Sequence, residues 1–521
     1  MTTATEVRRR HFNSYTLLVV FAISLTSLGY GYTGAVIGTI SGQPSFFKYM
    51  GLDTAPNATQ LLGAINAMYY VGGVLGTFYA GYAADRWGRR NASVQAQIIL
   101  AISSALQAGS VHIAMFIVSR FICGFGGYTV LCVTPMWLAE LVPPGQRGML
   151  MEIATVLMIL GYFTASWVGY GFFFYSGSIP AFRPILAFGC IVPIIFVCIS
   201  YWTVESPRWL ISRGRHEEAH NLLKSLHKNP HDLHDSFAEA EYYQIRRQAE
   251  LDSALDLSYK GMFATRPMTK RTVMAIIWPF MTATSGILVI FNYGPLLYES
   301  LGYSAEKQVL YQAGWTTLNW AANICGCLFV DLFQRPTYAA IGLFGCMACL
   351  CVEAAMVATS QTSPTQAILE CGVAMIFLYG VAYGAFLDGL LFVYVGEIFP
   401  TPYRAKGYNI ALATQALSNI AWTGAAPTAF AEIGWRYYLP FIILSAINVV
   451  IICIWFPNTR HLALEEVAAI FGDGDRVAVY QSQIQGTNLV NIESDQPAGS
   501  KANSVSAEHK DYVTTEVEGP V

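Results

Sequence analysis

Charged side chains are scarce in this sequence. Asp, Glu, Lys and Arg make up 12% of the 521 residues, whereas soluble globular chains carry roughly a quarter. Hydrophobic residues make up 54%. So few charges would not cover the surface of a soluble protein of this size, but a surface that faces lipid does not need them. The composition therefore indicates a membrane protein.

The sequence also lacks the patterns of several other function classes. A formal net charge of −3 provides no basic surface for nucleic acid. No P-loop, nucleophile–base pair or metal-ligand spacing is present, which argues against an enzyme, direct use of ATP, a metal and any other cofactor. The 11 cysteines form no disulfide framework. Cys346, Cys349 and Cys351 lie in one apolar stretch, where we expect them to pack between helices.

Long stretches without charge are what the sequence has instead. A helix needs about 20 apolar residues to cross the hydrocarbon core of a bilayer. Twelve such stretches, which we number as spans 1 to 12, cover 12–47, 54–84, 91–119, 121–139, 153–182, 184–204, 272–298, 308–330, 336–352, 371–396, 407–431 and 437–459, with acids at Glu353 beyond span 9 and at Asp388 inside span 10.

The spacing of these stretches divides the chain into two halves. We predict an all-α membrane protein with 12 transmembrane helices in two six-helix pseudo-repeats. The predicted division is an N-terminus over 1–14, a first half over 15–204, a polar linker over 205–270, a second half over 271–457 and a tail over 458–521. The tail has the Ser-, Thr- and Glu-rich composition of disordered segments.

The positions of Lys and Arg predict the orientation. If the spans alternate in direction, Arg8, Arg9, Arg10 and the linker fall on one side, together with most other basic residues outside the spans. Basic loops stay in the cytosol, so we expect both termini there. Asn57-Ala58-Thr59 then lies in an outside loop and forms a glycosylation sequon.

Charged pairs recur in the two halves with the same internal spacing. Asp85 and Arg89 correspond to Asp331 and Arg335, Glu140 and Arg147 to Glu397 and Arg404, and Glu205-Ser-Pro-Arg208 to Pro457-Asn-Thr-Arg460. The offset between partners is about 250 residues in each case, which indicates an internal repeat. Paired six-helix halves are an architecture of secondary transporters, whose substrate site lies between the halves near the midplane.

These charges fall at the predicted cytosolic ends of the spans. If they pair across the halves, they close the cytosolic mouth in one state and separate when it opens. One exposed pair contributes about 0–1 kcal/mol, so a gate requires a network. The alternative is ordinary basic residues with solvated partners. We predict a cytosolic gate formed by Asp85, Arg89, Arg90, Glu140, Arg147, Glu205, Arg208, Asp331, Arg335, Glu397 and Arg404.

Several longer motifs point to a known family. They are Gly81-Tyr-Ala-Ala-Asp85-Arg86-Trp-Gly88-Arg89-Arg90, Arg120-Phe-Ile-Cys-Gly124-Phe-Gly126, Glu205-Ser-Pro-Arg208 and Glu397-Ile-Phe-Pro400 followed by Arg404-Ala-Lys-Gly407. Through them, about residues 15–470 resemble the sugar porter family of the major facilitator superfamily, in a divergent fungal branch of hexose or lactose permease-like proteins. The resemblance implies the major facilitator fold, a plasma-membrane location and alternating-access transport of a sugar or sugar-like solute, with or without proton symport.

The sequence departs from that family at the expected substrate site. Tyr32 stands where many sugar porters have an acid in span 1, and tyrosine titrates near pH 10, which makes it a poor proton carrier. In span 7 the sugar-binding amides of the family are replaced by the segment Thr282-Ala-Thr-Ser-Gly286. Asp388 is an intramembrane carboxylate, and such groups are functional candidates because they are costly. It is our candidate for proton coupling or for substrate binding; the alternative is a helix cap beside Gly389.

A sugar site needs amides and hydroxyls together with an aromatic surface. We predict substrate contacts from Thr155, Trp167, Asn292, Tyr293, Asn319, Asp388, Gln415, Asn419 and Trp422. The expected partners are a sugar-like solute, protons and the lipid bilayer. Two alternatives stay open, namely a transporter of an organic acid or secondary metabolite on the same scaffold, and a sugar sensor that does not transport.

Overall fold

The computed structural model describes residues 14–142, 147–228, 235–252, 258–329, 333–360, 365–459, 467 and 470–472. Regular secondary structure within these ranges is helical throughout. In chain order the spans are Ser14–Ile40, Ala58–Trp87, Arg89–Ala108, Ile113–Leu141, Arg147–Phe173, Phe182–Phe188 with Ile191–Ile199, Arg266–Ala283 with Ile287–Ser300, Ala305–Phe329, Arg335–Ser360, Gln366–Phe386 with Leu390–Ile398, Thr401–Ile433 and Tyr438–Trp455.

The helices account for the 12 predicted spans. Over the described ranges, nine stretches are long and apolar enough to cross a membrane, and the last of them, Tyr403–Trp455, holds both span 11 and span 12. Spans 3 and 8 are the remaining two, and they are more polar because their inner faces carry amides. Gln97 of span 3 donates a hydrogen bond to the carbonyl of Thr26, and Gln312 of span 8 donates one to the carbonyl of Phe291.

Glycines let the spans of one half pack closely. A Cβ built on Gly72 or Gly76 of span 2 would overlap the backbone of span 4, and one on Gly124 of span 4 would overlap the backbone of Tyr69. Spans 1 and 5 approach in the same way at Gly31 and Gly161. Without a hydrophobic driving force between helices in lipid, such close contact supplies much of the association. The spans of the first half thereby form a tightly packed unit.

The linker forms a separate helical layer at one end of the spans. Its helices are Pro207–Ser212, His216–His227 and Ser236–Asp252, which enclose a small apolar core. Trp209 Nε1 and Arg213 Nη2 donate hydrogen bonds of 3.0 and 2.7 Å to the carbonyl of Asp85 at the end of span 2. We call this side of the molecule the linker end and the opposite side the far end. The short helix Pro44–Met50 lies at the far end between spans 1 and 2.

Spans 7 and 10 are each broken near their middle. Span 7 is interrupted at Thr284–Gly286, where Gly286 has a φ of 91° that residues with a Cβ rarely adopt. Span 10 is interrupted between Phe386 and Leu390. Unpaired backbone is tolerated at membrane depth where it borders a cavity, as in many transporters. The two breaks therefore indicate a cavity in the space between the halves.

Helix ends lie close to the predicted domain limits. Span 1 begins at Ser14, span 7 begins at Arg266, inside the predicted linker, and span 12 ends at Trp455. The division into five segments remains a prediction, since much of the two termini lies outside the described residues.

Candidate functional site

A cavity lies between the two halves. Spans 1, 2, 4 and 5 of the first half and spans 7, 8, 10 and 11 of the second half contribute its lining, and both helix breaks border it. The lining residues are Tyr30, Gly34, Tyr69, Tyr70, Tyr128, Leu131, Met158, Tyr162, Thr282, Ala283, Ile287, Leu288, Phe291, Asn292, Trp315, Asn319, Tyr383, Asp388, Leu391, Phe392 and Gln415.

Tyrosines dominate the polar lining. Within the first half the rings of Tyr30 and Tyr128 pack edge to face with centroids 6.3 Å apart, and those of Tyr69 and Tyr70 pack in the same way at 5.3 Å. Tyr162 meets Phe291 of the second half at 4.7 Å. A tyrosine offers both an aromatic face and a hydroxyl that donates and accepts. This lining suits a solute that has C–H faces and hydroxyl groups.

Amides of the second half complete the polar lining. Asn292 Nδ2 of span 7 donates a 3.1 Å hydrogen bond to the Tyr70 hydroxyl, and Asn319 Nδ2 of span 8 donates one of 3.0 Å to the carbonyl of Gly380. Trp315 Nε1 is held by the carbonyl of Ile376 at 2.9 Å. These bonds fix the orientation of the amide and indole side chains, so the cavity is preorganised rather than fluid.

Asp388 lies in the break of span 10 and faces the cavity. Its Oδ2 accepts a 3.2 Å hydrogen bond from Asn323 Nδ2, and its backbone N–H donates to the carbonyl of Tyr383. Asp388 takes part in none of the ion pairs found over the described ranges. A carboxylate in this position is a polar contact for a solute and a group that can take up a proton.

The predicted substrate residues divide into two groups. Asn292, Asn319, Asp388 and Gln415 line the cavity together. The other five do not belong to its lining. Thr155 is buried in span 5, Trp167 is 39% exposed and donates to the Thr317 hydroxyl, Tyr293 donates to the carbonyl of Thr423, Asn419 is buried beside Tyr128, and Trp422 packs on Phe441.

Tyr32 stands where many sugar porters have an acid in span 1, and it does not face the cavity. The Tyr32 hydroxyl donates a 2.7 Å hydrogen bond to the carbonyl of Ile185 in span 6, while Tyr30 points into the cavity. Arg120 of span 4 is buried, donates to the carbonyl of Thr33 and lies 4.4 Å over the ring of Tyr69. Tyr32 is thus a packing contact between spans, and Arg120 is held by a carbonyl and an aromatic face.

The halves touch on both sides of the cavity. At the far end the Ser41 hydroxyl donates to the carbonyl of Asn292, and a Cβ on Gly63 would overlap the backbone of Gly424. At the linker end a Cβ on Gly81 of span 2 would stand 2.7 Å from Asn409 Nδ2 of span 11. The halves are therefore in contact on both sides of the cavity.

At the linker end, predicted gate charges form ion pairs and hydrogen bonds within each half. In the first half Arg89 Nε lies 2.9 Å from Glu140 Oε2, and Glu205 accepts hydrogen bonds from the backbone N–H groups of Arg89 and Arg90. In the second half Arg335 Nη2 lies 3.0 Å from Glu397 Oε1. These two ion pairs join helices of the same half. The expectation that such pairs join the halves to each other is therefore not realised by them in this conformation.

Other predicted gate residues add less. Asp85 is exposed and lies 3.6 Å from Arg89. Arg208 and Arg404 are half-buried. Asp331 and the side chain of Arg147 fall outside the described residues. Asn57, the predicted glycosylation site, is exposed at the far end, immediately before span 2.

Most of the aromatic lining and one buried acid were not predicted from the sequence. The tyrosines of the cavity were visible as Gly29-Tyr30-Gly31 and Tyr69-Tyr70, but nothing in the sequence distinguishes a tyrosine facing a cavity from one facing lipid. Glu152 of span 5 is buried, and a Cβ on Gly389 would stand 2.7 Å from its Oε1. It adjoins the start of a charge-free stretch and so looked like an ordinary helix-end charge.

Comparison with known proteins agrees with this geometry. A family model described as "Sugar (and other) transporter" matches residues 19–471. The chain is 29% identical over 445 residues to the MFS-type transporter criB of Aspergillus cristatus, covering 85% of this chain and 90% of that one. It is 25% identical over 498 residues to the D-xylose-proton symporter of Escherichia coli K12, covering 88% of this chain and 96% of that one.

A solved structure has a similar fold. The proton:xylose symporter XylE, a major facilitator superfamily protein bound to 6-bromo-6-deoxy-D-glucose, superposes with a TM-score of 0.74 at 23% identity and covers 88% of this chain and 100% of that one. At this identity the likeness concerns the fold alone. It confirms the predicted fold of 12 transmembrane helices in two six-helix halves.

Proposed function

Because this chain belongs to the sugar transporter family, we propose that it carries a sugar or a sugar-like polyhydroxy solute across a membrane by alternating access. One observation supports this most directly. A cavity lined by hydroxyls, amides and aromatic rings lies between two halves that touch each other on both of its sides. Transporters of this architecture work by rocking one half against the other around a fixed central site. The family is one of transporters, and we infer no enzymatic reaction.

The chemistry of the lining favours a neutral, hydroxyl-rich solute. The cavity is lined by tyrosine hydroxyls, by the amides of Asn292, Asn319 and Gln415, and by the carboxylate of Asp388, with no Lys, Arg or His among the lining residues. An organic anion would meet the charge of Asp388 without a cation to compensate it. A sugar offers donors to the carboxylate and C–H faces to the tyrosine rings. This contrast favours the sugar over the organic acid.

Alternating access follows from which contacts must break. Opening the far end requires the contacts of Ser41 with Asn292 and of Gly63 with Gly424 to separate, while opening the linker end requires Gly81 to leave Asn409. The ion pairs of Arg89 and of Arg335 stay inside their own halves, so each half moves as a unit. In this proposal the gate charges make each half more rigid and do not hold the two halves together.

We extend the proposal to proton symport through Asp388. A protonated Asp388 is neutral and is tolerated in a closed membrane cavity, whereas the ionised form is costly there. Uptake of a proton from the far end would therefore favour occlusion, and release at the linker end would favour reopening. The D-xylose-proton symporter among the relatives supports this coupling by its name.

Orientation and location complete the proposal. We place the linker end and both termini in the cytosol, because the basic residues lie on that side. The far end, with the exposed Asn57, then faces outward and would accept a glycan in a secretory compartment. The plasma membrane is the proposed location.

Solute counterflow in proteoliposomes tests the proposed function. Purified protein is reconstituted into vesicles loaded with one unlabelled solute, and uptake of the same labelled solute is followed for a panel of pentoses, hexoses, disaccharides, polyols and monocarboxylic acids. We expect counterflow of at least one neutral polyhydroxy compound and none of the acids. Counterflow of acids alone would support the organic-acid alternative. Binding of a sugar without any counterflow would support the sensor.

A further inference from the structure

Glu152 of span 5 is a buried carboxylate to which the transport cycle described above gives no role. Glu152 is only 7% exposed to solvent. Its two oxygens stand 2.7 and 2.8 Å from the position that a Cβ on Gly389 would occupy. Only glycine admits a carboxylate so close to the backbone at this point. Gly389 directly follows Asp388, so a carboxylate of the first half reaches the break that holds the carboxylate of the second half.

Side chains of span 8 connect the two acids. Asn323 Nδ2 donates to Asp388 Oδ2 at 3.2 Å, and one turn further along, the Cys327 thiol donates to Glu152 Oε2 at 3.5 Å. Span 8 runs from the far end to the linker end, so Cys327 and Glu152 lie nearer to the linker end than Asn323 and Asp388 do. The acids are therefore arranged in sequence along the direction of transport.

A second, smaller cavity lies at this connection. Glu152, Asn323, Cys327 and Gly389 contribute to its lining, together with Tyr338 of span 9. A water molecule needs two to four polar partners to be held in a protein. The carboxylate, amide, thiol and phenol around this space supply such partners. The cavity has room for about one water molecule between the central cavity and Glu152.

We propose that Glu152 is a second proton carrier, which takes the proton from Asp388 and releases it at the linker end. This inference rests on the proposed proton symport. In the transfer, the O–H bond of the Asp388 carboxylic acid breaks and its proton passes to a water molecule in the small cavity. That water gives one of its own protons to the Glu152 carboxylate. Asp388 is left ionised, Glu152 is left neutral, and the water is unchanged.

The placement of the two acids in different halves makes the transfer depend on conformation. Asp388 belongs to the second half and Glu152 to the first, and the Cys327–Glu152 hydrogen bond joins the halves. When the halves separate at the linker end, Glu152 leaves the break of span 10 and meets water. The Cys327 thiol and the Tyr338 phenol are titratable groups that interact with Glu152. The transfer therefore occurs only while the linker end is closed.

Two measurements on proteoliposomes test this role. The variant Glu152→Gln keeps the size of the side chain and a hydrogen-bond acceptor for Cys327 but cannot carry a proton. We expect it to retain counterflow, which exchanges solute without net proton movement, and to lose both accumulation driven by a pH gradient and solute-induced alkalinisation of the medium. Glu353→Gln is the matched control, because Glu353 is also a buried acid of a span but does not line either cavity. It should behave as the wild type in both assays.

The outcomes separate the two proposals. Wild-type protein without counterflow of any neutral polyhydroxy solute would overturn the proposed function. If the wild type accumulates solute on a proton gradient and Glu152→Gln does so equally well, the role of Glu152 is overturned while the transport function stands. Loss of counterflow along with accumulation in Glu152→Gln would also overturn it, since that result assigns Glu152 to packing or binding.

Discussion

Asn292 and Tyr70 form a hydrogen bond that crosses between the halves inside the central cavity. The Asn292 amide of span 7 donates to the Tyr70 hydroxyl of span 2 at 3.1 Å, and both side chains belong to the cavity lining. A solute hydroxyl at this point can accept from Asn292 or donate to Tyr70 in place of the existing bond. Solute binding and the approach of the halves are thus linked at one pair of side chains.

Replacing Tyr70 by phenylalanine is expected to weaken solute binding. The substitution removes the hydroxyl and keeps the ring, and a lost hydrogen bond of this kind costs about 1 kcal/mol, so KM should rise roughly fivefold. The measurement is initial counterflow rate against solute concentration. Tyr32→Phe serves as the control, because the Tyr32 hydroxyl is bound to Ile185 away from the cavity. An unchanged KM in Tyr70→Phe would remove Tyr70 from the binding site.

The variant Asp388→Asn is expected to separate solute movement from proton movement. Asparagine preserves the size of the side chain and accepts the hydrogen bond from Asn323 through its carbonyl, but it does not ionise. Counterflow should persist, whereas accumulation against a solute gradient at acidic external pH should be lost. Both are measured on the same reconstituted preparation. Accumulation at the wild-type level would show that another group carries the proton.

A methyl group at Gly63 is expected to keep the far end open. In the variant Gly63→Ala the added Cβ would overlap the backbone of Gly424, which cannot move aside as a flexible side chain would. Counterflow should be lost while equilibrium binding of solute from the far end is retained, as measured by scintillation proximity. The control is Gly171→Ala in span 5, where a Cβ meets nothing within 4 Å. Full counterflow in Gly63→Ala would exclude this contact from gating.

Acidity is expected to affect the stability of the linker end through Glu205. Burial raises the pKa of the Glu205 carboxyl above its ordinary value of 4.5, against the opposing effect of hydrogen bonds from the backbone N–H groups of Ser206, Arg90 and Arg89. A raised folded-state pKa means that folding favours the protonated form. The stabilisation of the folded protein by Glu205 is therefore complete below pH 4.5, and it is lost as the pH rises through the folded-state pKa.

The measurement is the apparent Tm of the detergent-solubilised protein across this pH window. The Tm of the wild type relative to that of Glu205→Gln should fall with rising pH, because glutamine mimics the neutral carboxyl at every pH. A difference that rises with pH would show that the backbone hydrogen bonds outweigh burial at this carboxyl.

Charge-free stretches predicted the spans well because crossing a bilayer constrains sequence strongly. Even spans 3 and 8 were found in this way, since their polarity resides in amides such as Gln97 and Gln312. The cavity lining was harder to predict. Tyr30 and Tyr32 are two residues apart on one helix, yet the first faces the cavity and the second binds a carbonyl of span 6. Which face of a helix turns inward is decided by tertiary packing and not by local composition.

Asp388 and Glu152 show the same limit for charged groups. Asp388 was recognisable because it is a lone acid far inside a span. Glu152 was not, because its sequence position beside a span end is compatible with a solvated charge. Only the approach of span 5 to Gly389 of span 10 reveals that it is enclosed. Contacts between the halves join residues that are far apart in the chain, such as Glu152 and Gly389, and neither spacing nor periodicity encodes such pairings.

The two ends of the cavity are closed in part by backbone contacts at glycines such as Gly63, whereas its wall is made of side chains. Closure and selectivity therefore depend on different positions in the chain. Mutation can alter the side chains of the wall, and with them the preferred solute, while the glycine contacts that close the ends are unchanged. This separation gives the scaffold room to diversify during evolution, and it marks the lining positions as those to vary when engineering uptake of a new solute.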